Sequence, residues 1–245
     1  MKAIILAAGR GSRMEKLTDE GPKCLVKLRG ETLLDLQLNA LKSAGISQIA
    51  IVTGYKRDLL ANRGLQEFYN QRWSETNMVS SLACADAWLM EGPCIVSYSD
   101  IFYCAKAVTL LMENPVPLAI TYDPNWLPLW TRRFRNPLLD AETFRLNLDN
   151  SVSEIGKKPE SVDEIQGQYM GLLRFEPEGW VELLRICKTL TSFEFDRIPM
   201  TSMLQKVIES AKVSITAVPY DGEWGEVDSP NDLKLYQKLE RGAGF

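Results

Sequence analysis

The sequence predicts an α/β fold of three αβα layers, a doubly wound mixed sheet with helices on both faces. Two observations carry that expectation. Short apolar runs that read as strands alternate with amphipathic segments that read as helices from residue 2 to about residue 122. The first of these runs is also too continuous for a strand with one wet face, as expected where helices cover both sides of a sheet. At 245 residues the chain suits a single domain, 1–245, rather than two independent ones.

The elements follow in order. Lys2 to Ala7 is an unbroken apolar strand that runs into a glycine loop. Residues 33–44 carry apolar positions at helical spacing and stop at Gly45, and 48–53 form a second apolar strand ending at Gly54. A helix is expected near 78–89, a strand at 93–98, a helix at 105–112 and a strand at 118–122. From Asp123 to about Pro177 the pattern breaks into Trp- and Pro-containing loops with short strands at 143–148 and 168–175. That segment reads as an insertion over the carboxyl edge of the sheet that builds a pocket. Helices at 180–190 and 201–210, a strand at 213–218 and a closing helix at 231–241 complete the chain, with Ser229 as N-cap and Pro230 at the first helical position. In such sheets ligands gather at the carboxyl ends of the strands, so the loops after strands should hold the site.

Composition excludes more than it names. Lys plus Arg total 28 against 32 for Asp plus Glu, with no basic run, which argues against polymeric nucleic acid as a partner. No stretch approaches the ~20 uninterrupted apolar residues of a membrane span, and no signal peptide precedes the first strand, so no membrane insertion and a cytoplasmic location are expected. Cys24, Cys84, Cys94, Cys104 and Cys187 form no CxxC pair and read as reduced, mostly buried small hydrophobes. The chain contains no histidine at all. Ser-His-Asp and Cys-His schemes, His-metal sites and imidazole acid–base catalysis are thereby removed, leaving carboxylates, Lys, Arg and a metal ion to do any chemistry.

The chemistry-bearing motif follows the first strand: Leu6-Ala7-Ala8-Gly9-Arg10-Gly11-Ser12-Arg13-Met14, then Thr18 and Pro22-Lys23-Cys24-Leu25. Glycines and small residues let backbone N–H groups approach a triphosphate, while Arg13 and Lys23 place cationic donors around phosphate oxygens. The run lacks the third glycine of a dinucleotide fingerprint and is not a GxxxxGK[ST] P-loop.

This pattern resembles the signature of the sugar-phosphate and phosphocholine nucleotidylyltransferase superfamily, and is most similar to the bacterial phosphocholine cytidylyltransferases. Tyr98-Ser99-Asp100 after a strand, and Trp224-Gly225-Glu226-Val227-Asp228 followed by Ser229-Pro230-Asn231-Asp232-Leu233, extend the resemblance over nearly the whole chain. The resemblance implies a Rossmann-like fold and a Mg²⁺-dependent reaction in which a nucleoside monophosphate passes from an NTP to a phosphorylated acceptor with release of pyrophosphate. Leu6, Ala7, Ala8, Gly9 and Gly11 would then bind the nucleotide, Arg13 and Lys23 would be catalytic, and Asp100 and Asp228 would hold the metal. The physical case for the aspartates is that Mg²⁺ takes hard oxygen ligands, one or two protein carboxylates plus substrate phosphates. Asp100 also closes an apolar strand, where a carboxylate is costly without a ligand. The bland alternatives are a capping role for Asp100 and an ordinary helix entry at Asp228.

Residues 70–82 are similar to the Asn-containing stretch of phosphocholine cytidylyltransferases, which favours CTP and sets Asn77 and Met78 against the nucleoside; a helix cap is the alternative. Trp126 and Trp130 are candidates for a choline-like head group through cation–π attraction, with Asp140 and Glu142 nearby. Their four-residue spacing equally suits one helical face packed in the core. Arg132 and Arg133 suit an acidic or zwitterionic acceptor, so phosphoglutamine and aminoethylphosphonate stand beside phosphocholine and phosphoethanolamine. Lys157 and Gln168 fall where sugar-nucleotide enzymes contact the acceptor. Competing readings are a sugar-1-phosphate nucleotidylyltransferase using UTP, GTP or dTTP, a glycosyltransferase, which the missing DxD motif disfavours, and a non-catalytic nucleotide-binding homologue. The oligomeric state is open.

Overall fold

A computed structural model of the chain describes residues 1–239. Seven strands form the main sheet: β1 (Lys2–Ala7), β2 (Gln48–Thr53), β3 (Gln66–Tyr69), β4 (Cys94–Tyr98), β5 (Leu118–Asp123), β6 (Gln168–Phe175) and β7 (Ile215–Pro219). Their spatial order is β7-β5-β6-β4-β1-β2-β3. All neighbours are parallel except β6, which runs antiparallel to both β4 and β5. The mixed α/β architecture is therefore the expected one, with β1 an interior strand: Leu6 pairs with Val52 on one side and Tyr98 on the other. Ile4 and Ile5 are fully buried, each worth roughly 1.5–3 kcal/mol of apolar burial.

Helices α1 (Leu33–Ser43) and α4 (Ala105–Met112) match their expected positions. The single helix expected near 78–89 is two, α2 (Met78–Ala83) and α3 (Asp86–Glu91). The break lies at Ala85, whose ψ of 18° leaves the helical region. Just beyond it Asp86 is tethered by a 2.7 Å hydrogen bond from Trp180 Nε1, so a tertiary contact overrides helical propensity.

The segment 123–177 departs further from expectation. Residues 126–133 are a helix, α5 (Trp126–Arg133), and β6 lies inside the main sheet rather than over its edge. The reason is visible in the burial of Met170 to Phe175, a run covered on both faces. What remains as an excursion is a hairpin of Phe144–Leu146 and Val152–Ile155. Three helices follow, α6 (Pro177–Cys187), α7 (Ser192–Arg197) and α8 (Met200–Ser210), and α8 holds the hairpin through a 3.0 Å bond from Ile155 N to Gln205 Oε1. The last helix, α9 (Pro230–Lys238), opens as expected with Pro230 at its start and Ser229 as cap, in a reciprocal capping box with Asp232. Residues 240–241 of the expected helix lie outside the described residues. All five cysteines are free, but only Cys24 and Cys94 are fully buried; Cys84 and Cys104 are exposed, correcting the expectation of mostly buried thiols.

Candidate active site

The site forms where three segments meet at the carboxyl end of β1 and β4. The first is the loop after β1. Gly11 has φ +74°, and a Cβ there would lie 2.8 Å from Cβ and Cδ of Lys23. Glycine is thus required twice, by the left-handed backbone and by the close passage of the lysine stem. That passage lets Lys23 run beneath the loop with 7% of its side chain exposed.

The other two segments are clamped together. Residues Ile101–Tyr103 pair antiparallel with Trp224–Glu226, and Val227 N donates to Asp100 O at 2.9 Å. The buried amide of Gln37 on α1 donates to Tyr98 O at 2.8 Å, fixing the turn that carries Asp100. Gly225 is needed because a Cβ there would meet the rings of Phe102 and Tyr236 at 2.6–2.7 Å. The result is that carboxylate oxygens of Asp100, Glu226 and Asp228, 126 and more residues apart in sequence for the first and the others, all lie within 4.8 Å of one another.

Three like charges this close need cations. Lys23 Nζ lies 3.0 Å from Asp100 Oδ2 and is also hydrogen-bonded to Asp228 Oδ1, while Arg13 reaches the same Asp228 oxygen at 3.0 Å. Arg133, its side chain fully buried, bonds Glu226 at 3.2 Å and Asp232 at 2.9 Å and lies 3.9 Å from Asp228. Burial works against the Lys23 ammonium, but Asp100 and Asp228 outweigh it and hold its pKa above the ordinary value. Burial likewise opposes the Asp228 charge, yet Lys23 and Arg13 bring its carboxyl below the usual range. Burial and the neighbouring Asp228 push Glu226 the other way, well up. Asp100 Oδ1 is buried without a hydrogen-bond partner. An all-oxygen triplet with one unsatisfied carboxylate oxygen fits a hard divalent cation such as Mg²⁺.

An open cavity of about 220 Å³ adjoins the triplet. Arg13, Met78, Gln168, Glu226 and Asp228 line it, as do Asp140, Glu142, Tyr169 and the start of α8. Of the residues expected to touch substrates, Leu6, Ala7 and Ala8 are buried at the end of β1, and Gly9 is exposed in the loop beyond. Met78 faces the cavity. Asn77 takes the capping role: its Oδ1 accepts from Met78 N at 2.7 Å and its Nδ2 donates to Arg197 O at 3.2 Å. Gln168 lines the cavity just before β6 bulges between Tyr169 and Leu173, where Gly171 at φ +78° packs on the Tyr98 ring.

Three expectations are corrected. Trp126 and Trp130 are 3% and 0% exposed and meet edge to face inside the core, Trp130 also against Trp224 and Phe134. Their four-residue spacing is that of a helix face, and neither lines the cavity. Lys157 is turned to a shallow surface recess beside Ser202 and Gln205 and pairs with Glu154 at 2.6 Å. Arg133 is occupied with Glu226 and Asp232, so it braces the triplet instead of meeting an acceptor. Sequence reading missed Glu226 as a third carboxylate, although it closes the short strand Trp224–Glu226 two residues before Asp228.

A glycine loop with two cations beside clustered carboxylates, at the end of the first strand of such a sheet, places the chain in the nucleotidyltransferase class. Residues 3–144 match the MobA-like NTP transferase domain, and the chain belongs to that family. Along 251 aligned residues it is 38% identical to the CTP:phosphoglutamine cytidylyltransferase of Campylobacter jejuni, covering 96% of this chain and 98% of that one. It is 37% identical over 86 residues to the choline-phosphate cytidylyltransferase of Streptococcus pneumoniae, 34% of this chain and 38% of that one. Among solved structures, the inositol-1-phosphate CTP transferase from T. maritima superimposes with a TM-score of 0.76 at 18% identity, covering 96% and 93% of the two chains. The CTP:phosphocholine cytidylyltransferase from Streptococcus pneumoniae gives 0.71 at 21% identity, with 97% of each chain covered. These two likenesses speak to the fold. Among the described residues no helix is long and apolar enough to cross a membrane.

Proposed function

We propose that this enzyme transfers the cytidylyl group of CTP to a small phosphorylated acceptor of the phosphoglutamine kind, giving the CDP-acceptor and pyrophosphate, with Mg²⁺ as cofactor. The observation that carries the reading is the end-to-end 38% identity to a CTP:phosphoglutamine cytidylyltransferase. It reorders the acceptors expected from sequence, because the choline-phosphate relative aligns over only 86 residues.

An oxygen of the acceptor phosphate attacks the α-phosphorus of CTP; the new O–P bond forms as the bond to the pyrophosphate oxygen breaks. That oxygen is already anionic at neutral pH, so no general base is required, in keeping with a chain that lacks histidine. Positioning and charge neutralisation are the tasks left to the protein. Asp100, Asp228 and Glu226 would hold Mg²⁺, which when bound neutralises phosphate charge. Lys23 and Arg13, poised on these carboxylates, supply the remaining positive charge to phosphate oxygens. The backbone from Ala8 to Gly11 gives the triphosphate room to approach.

The test is nucleotidyl transfer measured as pyrophosphate release with Mg²⁺, each of CTP, UTP, GTP and dTTP, and a panel of phosphoglutamine, phosphocholine, aminoethylphosphonate, inositol-1-phosphate and glucose-1-phosphate. Turnover with CTP and phosphoglutamine supports the proposal. Turnover confined to UTP, GTP or dTTP with a sugar phosphate replaces it.

A further inference from the structure

The cavity extends beyond the carboxylate triplet to Asp140, Glu142 and the start of α8. Asp140 lies toward the reacting end, where its carboxyl feels Arg133, Asp228 and Arg13. Glu142 lies beyond it, accepting a 3.3 Å hydrogen bond from the Thr201 hydroxyl at the start of α8. The carboxylates of the triplet are compensated by Lys23, Arg13 and Arg133. Among the described residues, Glu142 pairs with no cation, although burial and Asp140 both push its carboxyl up from the ordinary range. An unpaired, half-buried carboxylate in a cavity wall is a cost that a ligand can relieve.

The same wall carries Thr201 and Gln168, whose side-chain oxygens can accept from an N–H donor. A phosphorylated acceptor is an anion, and a wall of carboxylates repels it unless its far end is positive. An ammonium bearing N–H groups can serve Glu142 and the neighbouring Thr201 oxygen together. A quaternary ammonium has no N–H to offer either group, so of the two kinds of head group that could meet this wall, with its Tyr98, Tyr169 and Trp224 rings, only the primary one hydrogen-bonds to it.

We propose that Glu142 determines acceptor specificity by binding a primary ammonium, so that the acceptor is a phosphorylated amino acid or amino alcohol rather than a sugar phosphate, an inositol phosphate or a choline ester. This rests on the nucleotidyl-transfer reading above and adds which end of the acceptor is read, by which side chain, and through what charge.

The experiment compares phosphoglutamine with its analogue carrying hydrogen in place of the α-amino group, and phosphoethanolamine with phosphocholine, in wild type and in Glu142→Gln and Glu142→Asp. Wild type should lose roughly 10- to 100-fold in kcat/KM when the amino group is absent, the range for a hydrogen bond to a charged group, and should prefer phosphoethanolamine to phosphocholine. Glu142→Gln should raise the KM for phosphoglutamine by a similar factor, leave the KM for CTP unchanged and scarcely distinguish the two phosphoglutamine forms, while Glu142→Asp recovers part of the loss. Equal losses on both forms would mean a structural role and overturn the proposal, as would an unchanged acceptor KM in Glu142→Gln or a wild-type preference for phosphocholine or glucose-1-phosphate. If no acceptor receives CMP, the nucleotidyl-transfer reading falls and this one with it; if the analogue without the amino group works as well as phosphoglutamine, this one alone falls.

Discussion

Lys23→Ala separates the ion pairing that the structure shows for this lysine from the catalytic role proposed for it. Its ammonium lies 3.0 Å from Asp100, is bonded to Asp228 and is 7% exposed at the side chain. Removing one partner of a buried ion pair costs ~3–5 kcal/mol. Arg13 remains 3.0 Å from Asp228, so the lower end, ~3 kcal/mol, applies. In a chain of this size each kcal/mol moves the unfolding midpoint by ~2–4 °C, which sets the expected fall at ~6–12 °C without divalent cations. Mg²⁺ should then raise the midpoint of the variant more than that of wild type, because the cation compensates carboxylates that the ammonium no longer holds. Turnover should fall by roughly 10²–10³, the loss for one electrostatic stabiliser of the transition state. Thermal unfolding with and without MgCl₂, together with pyrophosphate release, measures both. A variant as stable as wild type in the absence of metal would refute the account of the triplet, and near-normal turnover would refute the catalytic role.

Gly11→Ala should keep the fold while cutting kcat at least about tenfold, since φ +74° and the 2.8 Å approach to Lys23 both disfavour a Cβ; circular dichroism and turnover on one preparation check it. Trp130→Phe should lower stability by ~1–3 kcal/mol through lost core volume and leave the acceptor KM within about twofold; a large KM change would return Trp130 to the site. Glu182 is held down at about 2 by its hydrogen bonds from Arg185, against an ordinary value of 4.5. Its folded-state pKa is depressed, so its contribution is complete above pH 4.5 and disappears as pH falls toward 2. Glu182→Gln should therefore melt below wild type at neutral pH and converge with it in acid; parallel curves across that range would remove the pairing as a source of stability.

The parts of the site that are legible in the sequence are those whose chemistry is local. The loop from Gly9 to Arg13 follows a strand whose apolar run is unmistakable, and Ser229-Pro230 with Asp232 is a cap readable from three residues. Asp100 stands out because a carboxylate ending a buried strand needs a reason. Trp126 and Trp130 misled because aromatic residues near carboxylates have the same composition whether they cage a cation or fill a core. Only packing, here against Trp224 and Phe134, separates the two. Arg133 misled in the same way: a guanidinium in a loop-like segment reads as a substrate contact until its carboxylate partners are found a hundred residues away.

By itself the sequence determined the layered α/β architecture, the glycine loop after the first strand and the exclusion of imidazole chemistry, because periodicity, glycine placement and residue inventory act over short stretches of chain, and its motifs carried the resemblance that implied the class of reaction. The tertiary structure decided that β6 returns antiparallel into the middle of the sheet, that Glu226 joins Asp100 and Asp228, that Lys23 and Arg133 share the work of holding three carboxylates together, and that Glu142 faces the cavity with no cation partner among the described residues. Each of these depends on charges and strands distant in sequence becoming neighbours in space, where a Coulomb interaction of a few ångströms and the burial of both partners outweigh anything local propensity can express.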